Sequence, residues 1–103
     1  MQVVWDRQAL KQLDNMIEYG RKEFGEHTVR NFYQRIKSYE PLLAANPQLG
    51  IKEPLLENYP QMFRSIVVHK NCKIIYYVEG DTLHIADLWD TRREPRTLTG
   101  SLK

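Results

Sequence analysis

The sequence is poor in cysteine and contains no long apolar run. Cys72 is the one cysteine among 103 residues, which excludes an intrachain disulfide. No apolar stretch approaches the roughly 20 residues that a membrane-spanning helix needs, and no charged leader followed by an apolar segment opens the chain. We therefore expect neither a signal peptide nor a membrane span. These absences favour a reduced compartment and predict a cytoplasmic protein.

The sequence also has no large excess of positive or negative charge. The formal net charge is +2, which is too small to predict a nucleic-acid partner by itself. The positive charge is nevertheless concentrated at the end of the chain, where Arg92, Arg93, Arg96 and Lys103 stand against Glu94 alone. A length of 103 residues with 42% hydrophobic residues predicts one folded domain, residues 1–103, with a short basic tail that serves local binding.

Common cofactor and metal signatures are missing as well. The three histidines, His27, His69 and His84, lack the close spacing of a zinc-ligand set, and no glycine-rich phosphate-binding loop is present. Cys72 has no base near it in the sequence, so we expect an inert thiol. We therefore predict no metal and no small-molecule cofactor.

The first half of the chain has the pattern of a helical hairpin. A brief strand at residues 3–5 is followed by Asp6, a suitable N-cap, and Gly25 suits the end of the first helix. Pro41 in the second helix predicts a kink or an early end. Apolar residues recur at helical spacing through both segments: Leu10, Leu13, Ile17 and Phe24, then Val29, Phe32, Ile36 and Leu43.

The second half has the period of β-strands. Residues 46–60 are rich in proline and show no steady period, which predicts a loop. Residues 63–68, 73–78 and 83–89 predict three antiparallel strands, the last two joined by a tight turn at Gly80-Asp81. The fold class is therefore α+β: an N-terminal strand, a long antiparallel helical hairpin and a three-stranded meander.

Alternation along the strands predicts which side chains share a face of the sheet. In the middle strand Ile74 and Tyr76 point to one face and Lys73 to the other; in the last strand Ile85 and Trp89 are expected on the same face. The hairpin covers one face, and the other is left wholly or partly free. We expect Arg64 or Lys73 to meet a partner on that free face.

This order of elements resembles the RelE/ParE superfamily of bacterial type II toxins over about residues 3–98. The resemblance rests on the strand-to-helix start, the hairpin pattern and four later segments: the Asn46-Pro47-Gln48-Leu49-Gly50 loop, Phe63-Arg64, Ile74-Ile75-Tyr76-Tyr77-Val78 and Leu88-Trp89-Asp90-Thr91-Arg92-Arg93-Glu94-Pro95. It implies a growth inhibitor that a cognate antitoxin neutralises. Members resembling ParE inhibit DNA gyrase, whereas members resembling RelE bind the ribosome and cut messenger RNA.

A RelE-like nuclease implies a cluster of cations that stabilises the phosphate, and by position these would be Arg64, Lys73 and Arg92. Two departures weaken this possibility, since Ile66 replaces a second basic residue and Leu98 replaces a late tyrosine. An apolar side chain cannot transfer a proton. Some relatives use histidine and carboxylate instead, for which His69, His84 and Asp87 are available.

The long hairpin and the missing tyrosine favour a ParE-like toxin that binds its target without covalent chemistry. The candidate partner-binding residues are Arg64, Arg92, Arg93 and Trp89. Each also has an ordinary structural alternative, a solvated charge for the arginines and core packing for Trp89. We further expect a groove beside the free sheet face to bind an apolar or acidic antitoxin segment. A degenerate member that only binds antitoxin remains a third alternative.

Overall fold

The computed structural model describes residues 1–91, so the basic tail, including Arg92 and Arg93, lies outside the described part of the chain. The α+β prediction is confirmed. In chain order the elements are β1 (Gln2–Trp5), α1 (Arg7–Phe24), α2 (Glu26–Ala45), β2 (Ile51–Lys52), a 3₁₀ turn (Pro54–Leu56), β3 (Arg64–His69), β4 (Cys72–Glu79) and β5 (Thr82–Asp90).

The strands form one sheet in the order β1-β5-β4-β3-β2. The predicted meander is β3-β4-β5, all antiparallel, whereas β1 pairs in parallel with β5. The prediction that residues 46–60 form only a loop is wrong, because Ile51–Lys52 adds an edge strand to β3 and Pro54–Leu56 forms the 3₁₀ turn.

The helices form the predicted hairpin around a single glycine. Gly25 has a φ of 91°, a conformation that side chains with a Cβ avoid, and its backbone N–H donates to the carbonyl of Gly20. Pro41 does not end α2, which continues to Ala45. Both Ile36 and Leu43 are fully buried against the sheet, so apolar packing on either side of Pro41 offsets the lost backbone hydrogen bond. No helix within residues 1–91 combines the length and apolar character needed to cross a membrane.

The sheet is buried on both faces, but unequally. The helix-covered face carries the larger cluster, which includes Ile36, Leu43, Ile74, Tyr76 and Leu83. The opposite face, hereafter the second face, carries a smaller cluster that the segment following β2 helps to cover: Leu56, Phe63, Ile75, Ala86 and Trp89. The second face is therefore only partly free.

A bulge in β5 changes which side chains share a face. Ile75 pairs with Asp87 and Tyr76 pairs with Ile85, so Ala86 is an extra residue in β5. As a result Leu88 joins Ile85 in the helix-side cluster and Trp89 lies in the second-face cluster. The prediction that Ile85 and Trp89 share a face is wrong because strict alternation stops at the bulge.

Candidate functional site

Arg64 begins β3 on the helix-covered face, opposite Tyr76 on β4. Its Nη1 donates to the carbonyl oxygen of Gly50 at 2.8 Å. The Tyr76 hydroxyl accepts from the Gly50 N–H at 2.8 Å and donates to the carbonyl of Pro47 at 2.8 Å. We call these hydrogen bonds among Pro47, Gly50, Arg64 and Tyr76 the Gly50 lock. Arg64 is thus already engaged with the protein's own backbone.

The Tyr76 hydroxyl stays protonated in this lock. Burial raises its pKa, while the hydrogen bond from Gly50 and the charge of Arg64 oppose that rise. A protonated hydroxyl is required, because it must donate to Pro47 while accepting from Gly50. The residue therefore acts as a neutral two-way bridge between β4 and the 46–50 loop.

Lys73 lies on the other side of the sheet from Arg64. It pairs across the ladders with Val67 and Trp89, on the second face, and its ammonium forms an ion pair with the carboxylate of Glu53. Glu53 is only 3% exposed and also accepts from the backbone N–H of Leu55 at 3.3 Å. Lys73 therefore serves to neutralise a buried carboxylate.

The sequence predicts a cation cluster of Arg64, Lys73 and Arg92. Its two described members, Arg64 and Lys73, do not lie together. The prediction that Arg64 and Lys73 share the free face is wrong, because the register assigns them to opposite faces. In β3, Arg64 alternates onto the same face as the apolar residues Ile66 and Val68. This pattern in the sequence indicates that Arg64 lies on the helix-covered face. Arg92 lies outside the described residues.

Trp89 is 2% exposed and packs in the second-face cluster. A ring buried to that extent cannot stack on a base or a partner side chain without opening the cluster, so the core alternative holds for Trp89. Arg93, like Arg92, belongs to the undescribed tail and stays a prediction.

A polar cluster that the sequence analysis missed lies on the second face where β1 meets α1. The Nδ1 of His84 is 3.2 Å from Oδ1 of Asp6, and the Tyr77 hydroxyl approaches Oδ2 at 3.5 Å. The rings of Tyr77 and His84 stack with centroids 4.8 Å apart. Asp6 makes no side-chain cap bond to α1, because its carboxylate points to the sheet instead. We call these three residues the Asp6 cluster.

Parallel pairing of β1 with β5 creates this cluster, since it places Asp6 beside Ile85. Burial, the charges of Asp6 and Glu79, and the contact with Asp6 all raise the pKa of Tyr77. The other candidates named with His84 are elsewhere: His69 packs edge-on against Phe32 of α2, and Asp87 is fully buried.

An apolar groove lies at the tip of the helical hairpin, next to the start of the β3–β4 turn. Its volume is about 340 Å³, and Tyr19 and Phe24 on its wall are 60% and 64% exposed. Arg35 and His69 are the basic residues of its lining. This groove is on the helical side of the molecule. Another groove, of about 450 Å³, lies beside the second face, where the sequence predicts one, and its lining includes Ser65 and Lys73.

The structure also describes the possible metal ligands and the thiol of residues 1–91. Residues 1–91 contain no group of three or more His, Cys, Asp or Glu side chains placed to hold a metal ion. Burial, together with the charges of Asp90 and Asp87, raises the pKa of the Cys72 thiol to about 12. A buried, protonated thiol is a poor nucleophile.

Comparison with known proteins agrees with this architecture. The sequence model of the ParE toxin of type II toxin-antitoxin systems, parDE, matches residues 3–95. Comparison with curated protein sequences finds no match. A solved structure described as a chromosomal ParDE TA system from P. aeruginosa shares the fold, with a TM-score of 0.72 and 19% identity over 87% of this chain and 95% of that chain. Since the family match spans most of the sequence, the chain belongs to the ParE family of toxins of type II toxin-antitoxin systems.

Proposed function

We propose that this toxin arrests growth by binding DNA gyrase, without covalent chemistry, and that its cognate antitoxin relieves the arrest. The observation that carries the proposal is the Lys73–Glu53 ion pair. Cleavage of RNA without a metal requires preorganised cations around the phosphate. Lys73 is instead committed to Glu53, and Arg64 lies on the opposite face with its Nη1 on Gly50. This disposition favours a binding inhibitor over a nuclease.

The target contacts proposed here are the tail cations Arg92 and Arg93. They follow Asp90, the last residue of β5, after Thr91, and together with Arg96 and Lys103 they outnumber Glu94, the one acidic residue after Asp90. Clustered cations steer association with an acidic surface and add polar contacts at an interface.

The test is inhibition of DNA supercoiling by purified gyrase, with toxin released from its complex with the antitoxin. We expect wild-type toxin to inhibit supercoiling and the pair Arg92→Gln/Arg93→Gln to need at least about tenfold more protein for the same effect. Arg30→Gln, an exposed change on α2, is the matched control for loss of positive charge. Undisturbed supercoiling at toxin concentrations that stop growth would overturn the proposal.

The second candidate function, ribosome-dependent cleavage of messenger RNA, is favoured by one observation, the Asp6 cluster. A carboxylate that accepts from Nδ1 of a histidine leaves Nε2 as a proton acceptor, the arrangement found in general bases. Translation reactions containing ribosomes and a defined messenger RNA distinguish the candidates. Cleavage in the A site that is lost in His84→Gln, while supercoiling stays normal, would replace the gyrase proposal.

We propose that the hairpin-tip groove binds an apolar segment of the antitoxin. Tyr19 and Phe24 expose large aromatic surfaces beside a concave site, and Arg35 and His69 favour acidic residues in the same segment. Phe24→Ser should weaken antitoxin binding by about tenfold or more in calorimetry. Leu10→Ser, at a 47% exposed position of α1 outside the groove, should leave affinity unchanged. Equal affinities for both variants would place the antitoxin elsewhere.

Growth assays in cells without antitoxin address the degenerate alternative. A protein that binds antitoxin but does not slow growth would be a family member without an active toxin function.

A further inference from the structure

The Gly50 lock joins two neighbouring strands to one residue outside them. The N–H of Gly50 is held by Tyr76 of β4, and its carbonyl oxygen is held by Arg64 of β3. There is no room for a side chain at this point, since a Cβ on Gly50 would lie 2.6 Å from the Ser65 carbonyl oxygen and 2.8 Å from the Tyr76 hydroxyl. The backbone thus passes directly over the sheet, and both of its polar groups are taken by side chains.

The lock also determines where the edge of the sheet lies. Strand β2 starts at the next residue and has only two ladder positions, Ile51 opposite Ser65 and Lys52 opposite Arg64. A two-residue edge strand contributes few hydrogen bonds of its own, so its position depends on what anchors its ends. Gly50 anchors one end, and the lock thereby holds Leu49 and Ile51, which are 47% and 68% exposed.

From this geometry we propose that Arg64 is a positioning residue of the toxin: it supports target inhibition by fixing segment 47–52 through the Gly50 lock, and its charge makes no contact with the target. The inference rests on the proposed function for its activity readout. It makes Tyr76, which carries no charge and is fully buried, as necessary for inhibition as Arg64.

Tyr76→Phe is the decisive variant, because it removes the hydroxyl of the lock and leaves every exposed charge in place. Tyr76→Phe removes two hydrogen bonds of the lock and Arg64→Gln removes one, and we expect each variant to raise the toxin concentration for half-inhibition of supercoiling by about tenfold. The double variant should be little worse than either single variant, since both changes disable one unit. Amide exchange at residues 50–52 should accelerate in all three proteins.

Ile74→Val is the control for general loss of stability. It removes one methylene from the same strand without touching the lock, so inhibition per folded molecule should stay at the wild-type level. Two outcomes would overturn the inference. One is full inhibition by Tyr76→Phe with accelerated exchange at residues 50–52. The other is loss of inhibition in Arg64→Gln with exchange there unchanged, which would make Arg64 a direct contact.

A failure of the proposed function can be recognised separately. If wild-type toxin does not inhibit gyrase, the same variants are compared for growth arrest in cells, and the exchange measurement needs no target at all. Growth arrest by Tyr76→Phe equal to that of wild type would then count against the lock, whatever the target.

Discussion

The two faces of the sheet differ in what they bury. Ile74 and Ile75 are neighbours in β4 and both are fully buried, yet Ile74 belongs to the helix-side cluster and Ile75 to the second-face cluster. Within residues 1–91, the helix-side cluster contains eleven buried residues and the second-face cluster five. The second face makes up for its thin apolar layer with polar pairs, Glu53 with Lys73 and Asp6 with His84.

This difference explains why the charges are not where a nuclease would need them. A thin cluster beneath a short 3₁₀ segment admits a buried carboxylate only with a counter-charge, and Lys73 provides it. The helix side, in contrast, uses its only arginine in β3 to hold a backbone carbonyl. Arg64 on the helix side and Lys73 on the second face are therefore both engaged within the protein.

Truncating the two isoleucines gives the largest expected effect and tests the comparison directly. Ile74→Ala should lower the free energy of unfolding by about 4 kcal/mol, because the cavity is enclosed by both helices and the sheet. Ile75→Ala should cost only about 2 kcal/mol, since the thinner layer above it can collapse. Urea unfolding measures both. An equal or larger cost for Ile75→Ala would contradict the inequality of the two faces.

The ion pair of the second face gives the next largest effect. Lys73→Met should destabilise the protein by about 3 kcal/mol, because it leaves the carboxylate of Glu53 buried without a counter-charge. Combining it with Glu53→Leu should restore much of the loss, since an apolar pair needs no compensation there. A double variant as unstable as Lys73→Met would mean that the pair stabilises by more than mutual neutralisation.

The elements of both faces could be predicted from the sequence, because they depend on local patterns. Helical spacing around Ile36 and the turn at Gly80 each identify an element without knowledge of its neighbours. The long hairpin with the meander was enough to indicate the RelE/ParE resemblance. Contacts between residues far apart in the chain were harder to predict than the elements themselves. Nothing local in residues 2–5 specifies β5 as a parallel partner, so the Asp6 cluster was missed.

The faces on which the side chains of the candidate site lie were difficult to predict for a related reason. Counting alternate residues assigns faces correctly only while the register is regular, and Ala86 breaks it. For Arg64 the sequence signal is present, because it alternates in step with the apolar residues Ile66 and Val68, which places it on the helix-covered face. The Glu53–Lys73 pair depends on the fold of residues 51–56, which has no periodic sequence pattern.

Alkaline pH should weaken the helix side by a smaller amount. The Cys72 thiol of that cluster ionises near 9.0 when unfolded, while burial raises its pKa to about 12 in the folded protein. Above pH 9 the unfolded state therefore binds fewer protons, and the free energy of unfolding should fall by about 1 kcal/mol between pH 9 and 10.

The control for this effect is Cys72→Ala, which should lose most of that slope although it is less stable at every pH. Denaturant titrations at pH 8, 9 and 10 suffice. Tyr76 and Tyr77, whose pKa values are also raised, begin to contribute in the same direction near pH 10, but they do so in both proteins, so the difference between the two slopes reports the thiol. A wild-type slope no steeper than that of Cys72→Ala would mean that the thiol ionises as readily in the folded state.

The smallest expected effect is the coupling free energy between Asp6 and His84. Its size distinguishes a structural role of the Asp6 cluster from a binding role. Asp6 and His84 are partly exposed, with side chains 30% and 23% accessible, so solvent screens their interaction. A double-mutant cycle of Asp6→Asn and His84→Gln at pH 7 should give a coupling of only about 0.5 kcal/mol. The Asp6 side chain makes no cap bond to α1, so Asp6→Asn removes no capping interaction that would confuse the cycle. A coupling above about 2 kcal/mol would make the pair a structural link comparable to Glu53–Lys73. A small coupling would mean that an aspartate was diverted from capping α1 for little gain in stability, and this would direct attention to the partly exposed imidazole as the group that contacts a partner.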